Sequence, residues 1–174
     1  MAKVLEVKNL VTSFHTKDGT FPAVNGVDFS LDAGETLAIV GESGCGKSVT
    51  SLSIMKLLDE RCSEVSPETS IFFMGKEISQ YTQKEMSKLR GNEISMVFQD
   101  SLTSLNPTMT IINQMVEPFM IHQGMSKKQA KKEAIEMLRQ VGIPNPEVRA
   151  KQYPHELSGG MRQRVIIAMA LSCK

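Results

Sequence analysis

Residues 41–48 read Gly-Glu-Ser-Gly-Cys-Gly-Lys-Ser, and few surroundings can hold such a run. The spacing is G-x-x-x-x-G-K-[ST], a phosphate-cradling loop that needs a strand before it and a helix after it. Both flanks fit. Thr36-Leu37-Ala38-Ile39-Val40 predicts a short buried strand, and Val49 to Leu58 carries Leu52, Ile54, Met55 and Leu58 at helical spacing.

Each residue type in the run has a physical task. Glycines let the backbone curl until several N–H groups point into one concavity. The helix that follows adds its positive end, so phosphate oxygens meet aligned donors. Lys47 brings a mobile cation to β- and γ-phosphates, and Ser48 a hydroxyl to Mg²⁺, a hard cation that prefers oxygen. The competing account is a glycine-rich turn beside a surface lysine, and the strand and helix flanks weigh against it. Cys45 lies inside the loop, beside the helix start. A modifiable thiol is one reading, but an ordinary variable loop position is the simpler one.

With 174 residues the chain is long enough for one sizeable core. Lys and Arg number 20 against 19 Asp and Glu, so bulk charge argues for neither a nucleic-acid nor a membrane-surface partner. The longest apolar run, Val165 to Leu171, falls short of a membrane span, and the first residues lack the apolar core of a signal peptide. A cytosolic protein, or one docked to a membrane through partners, is expected. Three scattered cysteines, Cys45, Cys62 and Cys173, suit a reducing compartment without disulfides. His15, His122 and His155 share no metal-ligand spacing and read as surface or packing residues.

Along the chain, the first third predicts strands at Val4 to Phe14 and Val24 to Leu31, split by the turn Lys17-Asp18-Gly19-Thr20. Asp32 to Glu35 is a second turn. Ser70 to Phe73 predicts a strand ending at Gly75-Lys76, Thr82 with Glu85 a capping box opening a short helix, and Ile94 to Phe98 a buried strand. From Ser101 the apolar period becomes helical: Ile111, Met115 and Phe119, then Ala130, Ala134, Met137, Leu138 and Val141. Ser126 with Gln129 caps the second of these helices, and Gly142 before Pro144 ends it. Lys127, Lys128, Lys131 and Lys132 are followed at once by Glu133 and Glu136, which reads as a solvated face rather than a nucleic-acid patch. Residues 142–157 hold Pro144, Pro146 and Pro154 and predict a connector. A last helix is expected from Gly159 to Cys173.

A second run, Leu157-Ser158-Gly159-Gly160-Met161-Arg162-Gln163-Arg164, places a capping serine and two glycines at that helix start. By itself such a start is common. Beside the phosphate loop, the chain closely resembles the nucleotide-binding subunit of ABC transporters, whose signature is LSGGQ, with Met161 here in place of the glutamine. LSGGMRQR and Val97-Phe98-Gln99-Asp100-Ser101-Leu102-Thr103-Ser104-Leu105-Asn106-Pro107 resemble the oligopeptide and dipeptide importer branch. The resemblance covers Met1 to Lys174.

The resemblance implies an α/β P-loop NTPase: a RecA-like core with an amino-terminal antiparallel β portion and a helical subdomain. Residues 1–100 would form the nucleotide-binding core, 101–157 the helical subdomain and 158–174 the signature helix of one incomplete cassette. It implies that Gly41, Glu42, Ser43, Gly44, Cys45, Gly46, Lys47, Ser48 and Val49 bind ATP, with Lys47 catalytic and Ser48 on Mg²⁺. Gln99 would be the Q-loop glutamine, reaching Mg²⁺ or the attacking water through an amide that changes contacts without titrating. The loop Asp100 to Pro107 would sense a transmembrane permease subunit. Phe14 resembles the aromatic residue that stacks on adenine, with Phe21 as the other possibility and plain sheet packing as the alternative to both. Ser158, Gly159 and Gly160 would meet the γ-phosphate held by a second ATPase subunit, identical or not, in a head-to-tail dimer. The expected place is the cytoplasmic face of the cell membrane, reached through partners only.

The family also places an apolar strand ending in Asp-Glu soon after the signature helix, and this sequence contains none. Asp100 follows Gln99 rather than the strand directly and does not replace it. The expectation is an incomplete cassette with weak nucleotide binding and little hydrolysis, whose uncovered apolar faces and strand edges favour association. ATP-driven peptide import is the parent function implied. A non-catalytic ATP-binding fragment and an importer of nickel or another small solute remain alternatives. LSGGM argues against a P-loop metabolite kinase, and a ribosome- or DNA-directed ABC ATPase would carry two such domains or a coiled-coil insert.

Overall fold

The structure, a computed structural model, describes residues 3–99 and 104–172. Asp100, the first residues of the loop to Pro107, and Cys173 lie outside the described residues. Alternating β-branched and polar residues make β1 (Lys3–Thr16) and β2 (Gly19–Asp32) a long antiparallel hairpin linked by Lys17-Asp18. Val7, Leu10 and Thr12 of β1 are buried. The register slips between Val7 and Leu10, where Asn9 takes a left-handed φ of 49° and its N–H donates to the Asp28 carboxylate at 2.8 Å. A short polar side chain tolerates that conformation where most would not.

The other edge of β1 is shared. β3 (Ser63–Val65) pairs with Thr12–Phe14 and β4 (Ser70–Phe73) with Leu5–Lys8, both antiparallel. Met74 and Gly75, at φ 49° and 76°, then turn the chain tightly into β5 (Lys76–Glu77), the backbone sense that two-residue hairpin links favour. β4 agrees with the sequence expectation, whereas β3 was not expected at all.

Helix α1 (Lys47–Ile54) lies on this sheet: Thr12 Oγ1 and Ser53 Oγ, both buried, are 2.8 Å apart. The helix was expected from Val49 to Leu58. It starts at the lysine of the loop and ends early because Lys56 turns left-handed, at φ 49°. The Lys56 ammonium then donates to the carbonyls of Ser79 and Tyr81 at 2.8 and 2.7 Å, holding that crossing chain against the helix end.

Two sequence expectations are corrected. Thr36–Val40 forms no strand; Leu37, Ile39 and Val40 are 44, 44 and 86% exposed. Ile94–Phe98 likewise makes only an isolated bridge from Ile94 to Arg90. A parallel strand is held by neighbours on both sides, and among the described residues neither segment has one.

The second half is helical. α2 (Gln83–Leu89) opens with the expected box, since the Glu85 carboxylate accepts from Thr82 N at 2.8 Å and the Thr82 hydroxyl accepts from Glu85 N at 3.3 Å. α3 (Ile111–Gln123), α4 (Lys127–Gln140), α5 (Pro146–Arg149) and α6 (Gly159–Leu171) surround a core that includes Leu105, Ile111, Met115, Phe119, Leu138 and Val165. The capping box of Ser126 and Gln129 is present on α4. The stretch read as a connector contains α5 and a 3₁₀ turn at Pro154–Glu156, each opened by a proline. By packing, the chain forms two compact units that meet after Met86, within α2.

Candidate functional site

The loop is built against the hairpin. Its last glycine, Gly46, has a left-handed φ of 90° and is buried; a Cβ there would stand 2.5 Å from the carbonyl oxygen of Ala23 in β2. Ala23 is the extra residue of a bulge, since Thr12 pairs with Val24 and the adjacent Ser13 with Pro22. A bulge re-aims the backbone locally and is a common neighbour of functional sites. Gly44, at φ 85°, needs glycine for its conformation alone, because a Cβ there would meet nothing within 4 Å.

Gly46 is the N-cap of α1, and no side chain caps that end. The first amides of a helix have no partner within it, and here the first turn carries no acidic residue either. The contrast with α4 and α6 is direct: Ser126 and Ser158 accept from the N3 amides of those helices. Lys47 folds back over the loop, its Nζ donating to the carbonyls of Gly41 at 2.9 Å and Glu42 at 2.5 Å, with Cys45 Sγ at 3.5 Å. The Cys45 thiol also fills the space over Gly41, where a Cβ would lie 2.5 Å from Sγ. Ser43, Ser48 and Glu42 are exposed and Val49 is half-buried. The arrangement offers uncapped donors and a mobile cation to one small region, which is what a phosphate requires.

Beside the loop lies a cavity of about 350 Å³ walled by Val24, Val27, Ile39, Val40, Cys45 and Lys47. A larger one of about 510 Å³ lies away from the loop, between β3 and the residues after α1. Its buried hydroxyls are already bonded, Ser53 to Val49 O, Ser63 to Asp59 O and Thr69 to Asn9 O, so chemistry favours the loop over volume.

Phe14 and Phe21 are direct cross-strand partners near the hairpin link, with ring centroids 6.0 Å apart and planes at 27°. The two residues weighed for one role from sequence are thus neighbours. Gln99 is exposed. Ser158, Gly159 and Gly160 are exposed at the start of α6, and a Cβ on either glycine would meet nothing within 4 Å. Arg164, which the sequence reading left without a role, donates from Nη1 to the carbonyls of Gly142 at 2.9 Å and Val141 at 3.4 Å, tying α6 to the end of α4. Ala23 was missed as well; Pro22 within a strand was its only sequence signal. Among the described residues no group of three or more His, Cys, Asp or Glu could hold a metal ion. Ser48, the second residue of α1, is exposed at the start of that helix.

A family model described as "ABC transporter" matches residues 24–174. The chain belongs to that family. It is 56% identical over 174 residues to "Dipeptide transport ATP-binding protein DppD" of Bacillus subtilis (strain 168), covering 100% of this chain and 52% of the relative. It is 54% identical over 172 residues to "Oligopeptide transport ATP-binding protein OppD" of the same organism, covering 99% and 48%. The chain therefore spans about half the length of the curated relatives it matches. Two solved structures of the ATP-binding cassette MJ0796, both described as dimeric and one as bound to ADP and Pi, superpose with a TM-score of 0.83 at 27% identity, over 97% of this chain and 69% of theirs. The fold is that of the ABC cassette among P-loop NTPases, with an antiparallel amino-terminal sheet followed by helices. Among the described residues no helix is long and apolar enough to cross a membrane.

Proposed function

We propose that this chain is the ATP-binding part of the energising subunit of an ABC-type peptide importer. The observation that carries the reading is the uncapped N-terminus of α1, with Lys47 folded over the loop onto the carbonyls of Gly41 and Glu42 and the thiol of Cys45. The triphosphate takes the place of those carbonyls as partner of the ammonium, and the α1 amides donate to its oxygens. The glycines of residues 41–46 let the loop wrap it, with Ser48 as the magnesium oxygen. Magnesium, when bound, neutralises charge developing on the phosphates. Phe14 stacks on the base, Gln99 orients the magnesium or the attacking water, and Lys47 stabilises the charge that hydrolysis develops.

Ser158, Gly159 and Gly160 then serve a second ATPase subunit. Among the described residues nothing lies within 4 Å of a Cβ built at 159 or 160, which suits the close approach of an outside group. The MJ0796 structures, both described as dimeric, support a second ATPase subunit as partner. Permease subunits would hold the assembly at the cytoplasmic membrane face, and the relatives' names point to di- or oligopeptides as cargo. Titration calorimetry with ATP and Mg²⁺ tests the site. Lys47→Ala is expected to weaken binding at least about tenfold, the scale of a hydrogen bond to a charged group; equal affinity in both proteins overturns the reading. For cargo, cells carrying Lys47→Ala in the whole gene should lose uptake of a labelled dipeptide.

A further inference from the structure

The cross-strand ring pair carries an inference about base recognition. Phe21 is 50% exposed, although an aromatic ring is normally worth burying. Two observations place the pair beside the loop. Thr12, two residues before Phe14, reaches α1 through Ser53, and the regular pairing of Thr12–Phe14 with β3 keeps Phe14 on the Thr12 face. Ala23, two residues after Phe21, touches Gly46, which is roughly 7 Å of strand from the ring's own backbone. A planar surface thus stands on the α1 side of the hairpin, two residues along β2 from the contact with Gly46.

We propose that Phe21 is a positioning residue for nucleotide binding: stacked on Phe14, it holds that ring as a rigid shelf for a nucleobase. The inference rests on the nucleotide reading above and adds a division of labour. The loop takes the triphosphate whatever base it carries, and the ring pair supplies the preference for a nucleotide over bare polyphosphate. A lone exposed Phe14 would sample several rotamers, and ordering it would oppose binding. A stacked partner removes that cost before the base arrives.

Calorimetry with two probes, ATP and sodium tripolyphosphate, each with Mg²⁺, tests this on the 174-residue chain. Phe21→Ala is expected to weaken ATP about three- to tenfold, the scale of one aromatic pair, and to leave tripolyphosphate within twofold. Phe21→Tyr should restore ATP binding, and Phe21→Leu should not. Unchanged ATP affinity in Phe21→Ala overturns the inference, as does full ATP binding by Phe21→Leu. A parallel loss of both probes also overturns it, because the pair would then only support the hairpin. Lys47→Ala separates the two levels: it should weaken both probes, and if neither probe binds the unsubstituted chain the nucleotide reading falls and this inference with it.

Discussion

Replacing Gly46 with alanine should be the most damaging single-methyl change in the loop. Two costs combine. The residue sits at φ 90°, where a non-glycine side chain costs about 1–2 kcal/mol. The new Cβ would also lie 2.5 Å from Ala23 O, about 0.8–1.1 Å inside the ~3.3–3.6 Å at which carbon and carbonyl oxygen usually meet. The obstacle is backbone in a paired strand rather than a flexible side-chain end, so loop or hairpin must move, at about 1–3 kcal/mol of strain. The total is about 2–5 kcal/mol. Gly44→Ala isolates the first cost, because at φ 85° its Cβ would meet nothing within 4 Å; about 1–2 kcal/mol is expected. Urea unfolding of the ligand-free proteins, followed by far-ultraviolet circular dichroism, measures both. A Gly46→Ala protein no less stable than Gly44→Ala would refute the close approach of loop and β2.

Ser53→Ala should destabilise the first unit by about 1–3 kcal/mol, because it strips the buried Thr12 hydroxyl of its Ser53 partner; adding Thr12→Val should recover part of that loss in the same unfolding assay. Ser158→Ala should cost about 1 kcal/mol by removing the cap on the Met161 amide, while Ser158→Asp, which also caps, should unfold near the unsubstituted chain. Cys45 touches Lys47 and fills the space over Gly41, so ATP with Mg²⁺ should slow its alkylation by N-ethylmaleimide, read by peptide mass spectrometry. Cys62, also exposed, should react at the same rate with and without nucleotide.

What could be read from sequence was local. A capping box needs only four consecutive residues, and those at Thr82–Glu85 and Ser126–Gln129 stand where expected. The start of α6 after Ser158 follows for the same reason. Strands depend on partners elsewhere. Thr36–Val40 and Ile94–Phe98 have the composition of buried strands but no ladder among the described residues, whereas Ser63–Val65, only three residues long, is a strand because β1 offers it an edge. The glycine motif announced a loop, but the contact that makes Gly46 necessary comes from a bulge twenty-odd residues earlier. The pairing of Phe14 with Phe21 depended on register, which the Lys17-Asp18 link sets. Composition could nominate either ring but could not bring them together.

Amide hydrogen exchange of the 174-residue chain, with and without ATP and Mg²⁺, tests the assignment of the nucleotide site most directly. Slower exchange confined to peptides covering Gly41–Val49 is the expected result, since those amides would donate to the phosphates. Unchanged exchange there, or protection centred instead on the larger cavity around Lys56, Glu60 and Glu64, would contradict it.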